Sequence, residues 1–169
     1  MDNRKKGNSS QELVFAAMLS ALACVATMVI KIPSPLHGYI NLGDCVVLFA
    51  GWTLSPLYAF LAASIGSALA DVFSGYVVYA PATFLIKGVM AIVAGCLHGK
   101  ISGGRNNRAA LAVSGLAAEV IMVVGYLAFE SVLYGFAPSL ANVLPNCVQG
   151  IAGVVIGAVL ISSFKNKIR

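Results

Sequence analysis

Charged side chains are scarce in this sequence. Eleven lysines and arginines and six aspartates and glutamates make up 10% of the 169 residues, while apolar residues make up 59%. A soluble domain carries about 25% charged and about 45–50% apolar residues. The mean hydropathy of +0.89 points the same way. The composition excludes an ordinary soluble domain and indicates a single integral membrane domain over residues 12–169, preceded by a cytoplasmic tail at 1–11.

The sequence also lacks the motifs of common catalytic, metal and nucleotide sites. It has two histidines, His37 and His98, which lie far apart, and its four cysteines form no C-x-x-C pair. No G-x-x-x-x-G-K-[ST] phosphate-binding loop occurs, so the chain has no P-loop of its own. We therefore expect neither metal nor cofactor. Without an inverted repeat, a secondary transporter that powers itself is not supported either.

Long apolar stretches are interrupted by short segments rich in proline, glycine and charge. The first run, Leu13–Ile30, has no charged residue and follows the basic sequence NRKK, but no cleavage site of small residues comes after it. It is therefore predicted to be an uncleaved span. The interruptions predict an all-α bundle of six transmembrane helices. Their predicted bounds are 13–30, 45–55, 57–73, 80–98, 109–134 and 139–163, with the division between the second and third at Ser55-Pro56.

The basic residues predict how the chain is oriented. Lysines and arginines cluster before the first helix, between the fourth and fifth at Lys100–Arg108, and at the C-terminal end. Basic loops stay in the cytoplasm, so an even number of spans separates each pair of clusters. Six helices satisfy this parity and leave both termini cytoplasmic. The outer loops are then 31–44, 74–79 and 134–138.

Polar side chains within apolar spans are costly and usually functional. Helical spacing places Thr83 and Lys87 on one face of the fourth helix and Glu119, Tyr126 and Glu130 on one face of the fifth. The sixth helix likewise has polar residues at helical spacing on one face, and the outer loops above these helices contain tyrosines. These stripes predict a pocket that opens outward. Its predicted substrate-binding residues are Tyr39, Asn41, Tyr79, Thr83, Lys87, Tyr126, Glu130, Asn142, Asn146 and Gln149.

Several of these features also have a purely structural interpretation. Asp71 and Lys87 could form a buried ion pair, and the amides could be hydrogen bonds between helices. Small residues make two smooth faces, which could serve either internal packing or the docking of another membrane protein. Those residues are Ala17 and Ala21 on the first helix and Gly150, Gly153 and Gly157 on the sixth.

Three stretches carry a family resemblance. GYINLGD at 38–44, SALADVFSGYVVYAPATFLIKGVMAIVAG at 67–95 and PNCVQGIAG at 145–153 resemble the substrate-binding S components of energy-coupling factor (ECF) vitamin transporters. The resemblance covers most of the chain. The most similar branch is the riboflavin type, which also includes proposed pyridoxine and hydroxymethylpyrimidine transporters.

The resemblance implies a substrate-capture subunit in a prokaryotic plasma membrane, not an enzyme. Its partners would be a transmembrane coupling subunit and two ATP-binding subunits, with Ala17 and Ala21 at the contact. It implies capture of a vitamin from outside by helices four to six and the loops above them. A compact pyridine or pyrimidine ring suits the predicted polar residues somewhat better than riboflavin. A structural assembly protein, or a membrane enzyme using Glu119 or Asp71, is the alternative.

Overall fold

The chain forms a bundle of helices with one short hairpin. The computed structural model describes residues 9–34, 39–103 and 107–164. The helices are α1 (Ser9–Val29), α2 (Gly43–Thr53), α3 (Pro56–Phe73), α4 (Ala80–Ser102), α5 (Arg108–Tyr134), α6 (Phe136–Ser139) and α7 (Val143–Phe164). The strands are β1 (Lys31–Pro33) and β2 (Tyr39–Asn41), and a 3₁₀ turn, Leu140–Asn142, joins α6 to α7.

Five of these helices are long and apolar enough to cross a bilayer, namely α1, α3, α4, α5 and the α6–α7 segment. The remaining helix of the predicted six, α2, is apolar but has only 11 residues. At 1.5 Å per residue it is about 16 Å long, roughly half the hydrocarbon thickness. The all-helical membrane architecture is thereby confirmed. Six complete crossings and cytoplasmic termini stay predictions.

The predicted division between the second and third helices is confirmed. α2 ends at Thr53, Leu54 is extended, and Ser55 precedes the proline that opens α3. Proline suits the first turn of a helix because its missing N–H has no partner there anyway. The Glu12 side chain of α1 accepts a hydrogen bond of 2.6 Å from the Ser55 backbone N–H. This contact ties the start of α3 to the first turn of α1.

α2 lies in the middle of the bundle, where it packs against α1, α3, α4 and α7. Every residue from Gly43 to Gly51 is buried, including Asp44 at 0% exposure. The long helices around it turn leucines, isoleucines and valines outward, as expected for surfaces that meet lipid tails. A short helix can therefore be wholly buried although every long helix is half exposed. This places a carboxylate on the axis of the bundle.

Two glycines let α2 and α4 approach until their backbones touch. A Cβ on Gly51 would lie 2.4 Å from the Ala91 carbonyl oxygen, and one on Gly95 would lie 2.2 Å from the Gly51 carbonyl oxygen. Such distances leave no room for any side chain. Small residues at helix contacts are the usual means of close packing in membranes. The contact sets how deeply α2 sits between its neighbours.

The structure differs from the predicted loops at three places. The segment predicted as the outer loop 31–44 contains an antiparallel hairpin in which Lys31 pairs with Asn41 and Pro33 with Tyr39. The segment 134–138 is not an open loop, because only Gly135, with φ of 88°, interrupts the chain before α6 begins. α4 continues to Ser102, four residues beyond its predicted end. Backbone pairing and helix continuation fill these segments where proline and glycine had suggested irregular chain.

Parts of the predicted topology lie outside the described residues. These are 1–8 of the proposed tail, 35–38 of the first outer loop, 104–106 of the loop between α4 and α5, and the basic end at 165–169. α1 begins at Ser9, four residues before the predicted first span. Between α3 and α4, the segment 74–79 forms turns, in agreement with a predicted loop there. Its position on the outer side stays a prediction.

Gly51→Ala tests the close contact between α2 and α4. We expect it to lower the free energy of unfolding by about 1–3 kcal/mol, the usual effect of forcing extra volume into a packed core. The obstacle is a backbone carbonyl, which cannot rotate away. Thermal unfolding of the detergent-purified protein measures the effect. Val155→Ile, which adds one methyl group at a position that is 58% exposed, is the control. Equal unfolding temperatures for both variants would contradict the contact.

Candidate functional site

One cavity opens at the end of the bundle where the β1–β2 hairpin and the 74–79 turns lie. It encloses about 400 Å³, part of which is continuous with the outside. Nearly all its lining residues are polar or aromatic, in contrast to the apolar surface of the helices. The lining consists of Ser34, Tyr39, Asn41, Asp71, Tyr76, Tyr79, Thr83, Tyr126, Glu130, Asn146 and Gln149.

A buried ion pair supports the floor of the cavity. The Lys87 ammonium of α4 donates to Oδ1 of Asp44 on α2, and the two side chains are 3% and 0% exposed. The Gln149 amide of α7 donates to the other Asp44 oxygen at 2.6 Å. Gln149 Oε1 in turn accepts the Asn41 backbone N–H of β2 at 2.8 Å. One chain of contacts therefore links α4, α2, α7 and the hairpin.

Asp71 forms one wall of the cavity together with the hairpin. Its Oδ1 accepts a 2.5 Å hydrogen bond from the Tyr39 hydroxyl. Burial first, and then the adjacent carboxylate, raise the pKa of Tyr39 above its ordinary value, so that its hydroxyl stays a proton donor. The ring of Tyr76 packs on that of Tyr39 with centroids 4.7 Å apart. Lys31, whose ammonium donates to Ser74 at 2.6 Å, lies 5.6 Å from the Tyr39 ring centroid.

Glu130 of α5 forms the opposite wall. Its Oε1 accepts from the Asn142 amide at 2.7 Å and, at 3.4 Å, from the Tyr79 hydroxyl. Burial is the main cause that raises the pKa of Tyr79, which keeps this phenol protonated as well. Glu130 and Asn142 are 3% and 2% exposed. The carboxylate is therefore positioned from three segments: α5, the 3₁₀ turn and the residue before α4.

Between these walls, one hydroxyl group of α4 and one of α5 are hydrogen-bonded to each other. The Thr83 and Tyr126 oxygens are 2.9 Å apart. The Lys87 ammonium lies 5.5 Å from the centroid of the Tyr126 ring, within the range of a cation–π contact. Lys87 itself does not line the cavity. It lies behind the wall that Thr83 and Tyr126 make.

A further carboxyl, Glu119, is buried below the cavity at 4% exposure. Neither of its oxygens has a hydrogen-bond partner among the described residues. A Cβ on Gly153 would meet Glu119 Oε1 at 3.0 Å and the Asp44 Cβ at 2.9 Å. The missing side chain of Gly153 thus leaves room for the two acidic residues on α5 and α2. Glu119 lies apart from the cavity lining.

Eight of the ten sequence-predicted binding residues line the cavity. They are Tyr39, Asn41, Tyr79, Thr83, Tyr126, Glu130, Asn146 and Gln149. The other two, Lys87 and Asn142, contact lining residues from behind. Helical spacing predicted those on α4, α5 and α7, because one face of each helix points to the same space. Tyr39, Asn41 and Tyr79 were predicted from the outer loops. That these residues bind a substrate remains a prediction.

Sequence reasoning missed Asp44 as the partner of Lys87. The proposed Asp71–Lys87 ion pair does not form, because Asp71 bonds to Tyr39 and Lys87 to Asp44. The signal that could have found it was present, since Asp44 is a lone acidic residue at the start of an apolar helix. Ser34, Asp71 and Tyr76 also line the cavity and were not among the predicted binding residues.

The two small-residue faces have different surroundings. Ala17 and Ala21 are exposed on the outside of α1. The α7 glycines instead face inward: a Cβ on Gly150 would meet Glu119 at 3.0 Å, and one on Gly157 would meet the Cys45 carbonyl at 3.2 Å. Internal packing is therefore the correct interpretation for the glycines. The alanines remain available to a partner.

Two comparisons of the sequence with known proteins bear on this site. A family model described as the ECF-type riboflavin transporter, S component, matches residues 7–166. An uncharacterised protein of Pyrococcus woesei, described by its place in the gap 3′ region, is 34% identical over 145 residues. That match covers 85% of this chain and 95% of the relative.

Solved structures give the same fold. The S component of a bacterial ECF transporter superposes with a TM-score of 0.73 at 22% identity, covering 96% of this chain and 99% of the other. The S component for biotin from an ECF-type ABC transporter gives a TM-score of 0.61 at 20% identity, with coverages of 96% and 95%. The overall helical fold is therefore shared with these two proteins.

The ion pair below the cavity yields a rescue experiment. Lys87→Met leaves Asp44 charged, buried and unpaired, which should reduce the free energy of unfolding by about 3–5 kcal/mol. Adding Asp44→Asn removes the uncompensated charge and should restore most of the loss. Adding Asp71→Asn instead should restore little. Thermal unfolding of the two double variants makes the comparison, and equal rescue by both would show that Asp44 is not the partner that matters.

Proposed function

Because the chain belongs to the family of ECF-type riboflavin transporter S components, we propose that it captures a small water-soluble vitamin or vitamin precursor and presents it for ATP-driven import. Proteins of this family are substrate-binding subunits of transporters and not enzymes. The family assignment displaces the two alternatives raised by the sequence, an assembly protein and a membrane enzyme. The identity of the vitamin and of the partner subunits is part of the proposal.

The observation that carries the proposal is a polar, solvent-connected cavity at one end of an otherwise apolar bundle. Its lining includes two carboxylates, three amides and four tyrosines. A membrane protein retains such groups inside its helices when a ligand or pathway needs them. The cavity is concave and its polar groups converge from α3, α4, α5, α7 and the hairpin. This is the general form of a small-molecule site.

Compact aromatic rings with hydroxyl or amino substituents are the best candidates for the ligand. The empty space of about 400 Å³ within the lining includes space open to the outside, so the enclosed part is small and favours a compact ligand. Tyrosine rings offer faces for stacking, and the carboxylates and amides offer hydrogen-bond partners. We therefore rank a pyridine of the B6 type or a hydroxymethylpyrimidine first.

Riboflavin is the second candidate. The description of the matching family favours it. The four tyrosines of the lining also suit a larger flat ring system, provided that the cavity widens to admit it. Widening requires movement of the hairpin and of the 74–79 turns, which are the segments that hold Tyr39, Tyr76 and Tyr79. Both candidates are water-soluble and both approach from the same open end.

The proposed orientation follows from the basic clusters of the sequence. With both termini cytoplasmic, the hairpin and the 74–79 turns face outward, so that the cavity opens to the exterior of a prokaryotic plasma membrane. The hydrogen bond between Glu12 and Ser55 is consistent with this arrangement, since it joins two helix ends that would both lie at the cytoplasmic side. Capture from outside and delivery inward then need a partner that supplies energy.

Identification of the bound molecule tests the vitamin-capture proposal. We expect the protein, purified in detergent from cells grown in rich medium, to retain about one small aromatic vitamin per chain. Native mass spectrometry followed by denaturing extraction gives both stoichiometry and identity. Titration of the emptied protein with pyridoxine, hydroxymethylpyrimidine and riboflavin then ranks the candidates. Absence of any retained small molecule together with no binding of these three would refute the proposal.

We further propose that α1 carries the docking surface for a transmembrane coupling subunit that works with two ATP-binding subunits. Ala17 and Ala21 are exposed and lie one turn apart. They form a shallow groove between larger exposed side chains such as Met18 and Leu22, which are 63% and 50% exposed. Such a groove lets a partner helix approach closely. The chain has no phosphate-binding loop, so ATP would have to be hydrolysed by its partners.

Ala17→Leu tests this docking surface. The added bulk should weaken assembly with the coupling subunit about tenfold or more and leave vitamin binding unchanged, because the residue is remote from the cavity. Co-purification of the complex and titration of the isolated chain measure the two properties. Val120→Leu, at a site on α5 that is 61% exposed, is the matched control. Normal assembly of the Ala17 variant would show that this face of α1 does not contact the coupling subunit.

A further inference from the structure

The charged side chains that line the cavity, among the described residues, are all acidic. Asp71 and Glu130 are both in the lining, whereas the described part of the lining contains no lysine, arginine or histidine. Two ammonium groups lie outside this lining. Lys87 is paired with Asp44 behind the wall, and Lys31 donates to Ser74 and lies 5.6 Å from the Tyr39 ring centroid. In the described lining itself, a ligand would therefore meet two carboxyl groups and no cationic side chain.

Each of these two side chains also has an oxygen without a donor. Asp71 Oδ2 and Glu130 Oε2 have no hydrogen-bond partner among the described residues, and the residues are 5% and 3% exposed. Both oxygens are buried in this arrangement. A buried acceptor left without a donor costs about 1–3 kcal/mol, and more when it is charged. A ligand whose entry shifts the lining side chains can supply the donors that these oxygens lack.

The other oxygen of each carboxyl group accepts a hydrogen bond from a tyrosine hydroxyl, and that of Glu130 also accepts one from Asn142. Tyr39 donates to Asp71 from the hairpin, and Tyr79 donates to Glu130 from the segment before α4. Both tyrosines line the cavity themselves. A ligand hydroxyl or amino group can take the place of a tyrosine hydroxyl without any loss of hydrogen bonds to the carboxylate. Both walls therefore favour a ligand group that donates a hydrogen bond.

We infer that the cavity selects a neutral or positively charged ligand with hydrogen-bond donors on two sides, received by Asp71 and Glu130, and rejects the phosphorylated or carboxylated forms of the same molecule. This inference rests on the proposed vitamin-capture function and narrows it to a chemical class. The unmodified vitamin would be bound, and its phosphate ester would be turned away. A phosphate would add negative charge beside two acidic side chains, and the described lining has no cationic side chain to neutralise it.

Paired titrations of the detergent-purified full chain test the inference. The probes are pyridoxine with pyridoxine 5′-phosphate and riboflavin with riboflavin 5′-phosphate, measured by calorimetry. For whichever parent compound binds, we expect the phosphate to bind about 100-fold more weakly or worse, because like charges brought together at an interface are strongly unfavourable. Equal or tighter binding of the phosphate would overturn the inference while leaving vitamin capture intact. Failure of both parents to bind would overturn the inference together with the vitamin proposal.

Two variants show whether Asp71 and Glu130 are the groups responsible. Glu130→Gln and Asp71→Asn remove one negative charge each and keep the shape of the side chain. Each should weaken binding of the parent compound about tenfold, because a charged hydrogen bond is lost. Each should also reduce the preference for parent over phosphate at least tenfold. A merely structural role would weaken both ligands together and leave that preference unchanged.

Glu12→Gln is the matched control for these variants. It makes the same chemical change at the carboxylate that contacts Ser55, remote from the cavity. We expect it to leave both affinities and their ratio unchanged. If a cavity variant fails to fold, the other variant and the wild-type ratio still decide the matter. An unchanged ratio in a folded Glu130→Gln and a folded Asp71→Asn protein would overturn the assignment of these residues.

Discussion

The buried ion pair between Asp44 and Lys87 is the interaction on which the architecture depends. Two opposite charges in an apolar interior are tolerated only when they are paired and their remaining hydrogen-bond capacity is used. Gln149 meets that condition by donating to the second Asp44 oxygen. The oxygen of the same amide then accepts a hydrogen bond from the Asn41 backbone N–H of the hairpin. A requirement of electrostatics thus determines the relative positions of α2, α4, α7 and the segment that covers the cavity.

The cavity above the pair is built differently from its support. Below, Asp44 and Lys87 are paired, and the glycines of α2, α4 and α7 allow the helices to approach closely. Above, Asp71 and Glu130 each keep an oxygen that has no donor among the described residues, and tyrosines of the hairpin and of the 74–79 turns line the cavity with them. A closely packed base with a buried ion pair, below a cavity that has unsatisfied acceptors, suits a subunit that must keep its fold in lipid and still accept a ligand.

Much of the site was predictable because polar residues in apolar helices carry a strong signal. The spacing of Tyr126 and Glu130 on α5, and of Asn146 and Gln149 on α7, places each pair on one face, and the structure brings those faces together. The pairing of charges was not predictable. Spacing along one helix says nothing about which helix lies opposite, so Asp71 was proposed for Lys87 although Asp44 is its partner.

Composition and helical period alone decide that this chain is a membrane bundle, where its long helices lie and which of their faces are polar, because the cost of polar groups in lipid acts on each segment separately. Only the tertiary structure decides that α2 is buried and that the α7 glycines face inward while Ala17 faces outward. It also decides that the described lining of the cavity holds two carboxyl groups and no cationic side chain. These properties belong to contacts between segments far apart in the chain. They depend on which helix surfaces pack against each other and which face lipid, and a local sequence pattern does not contain that information.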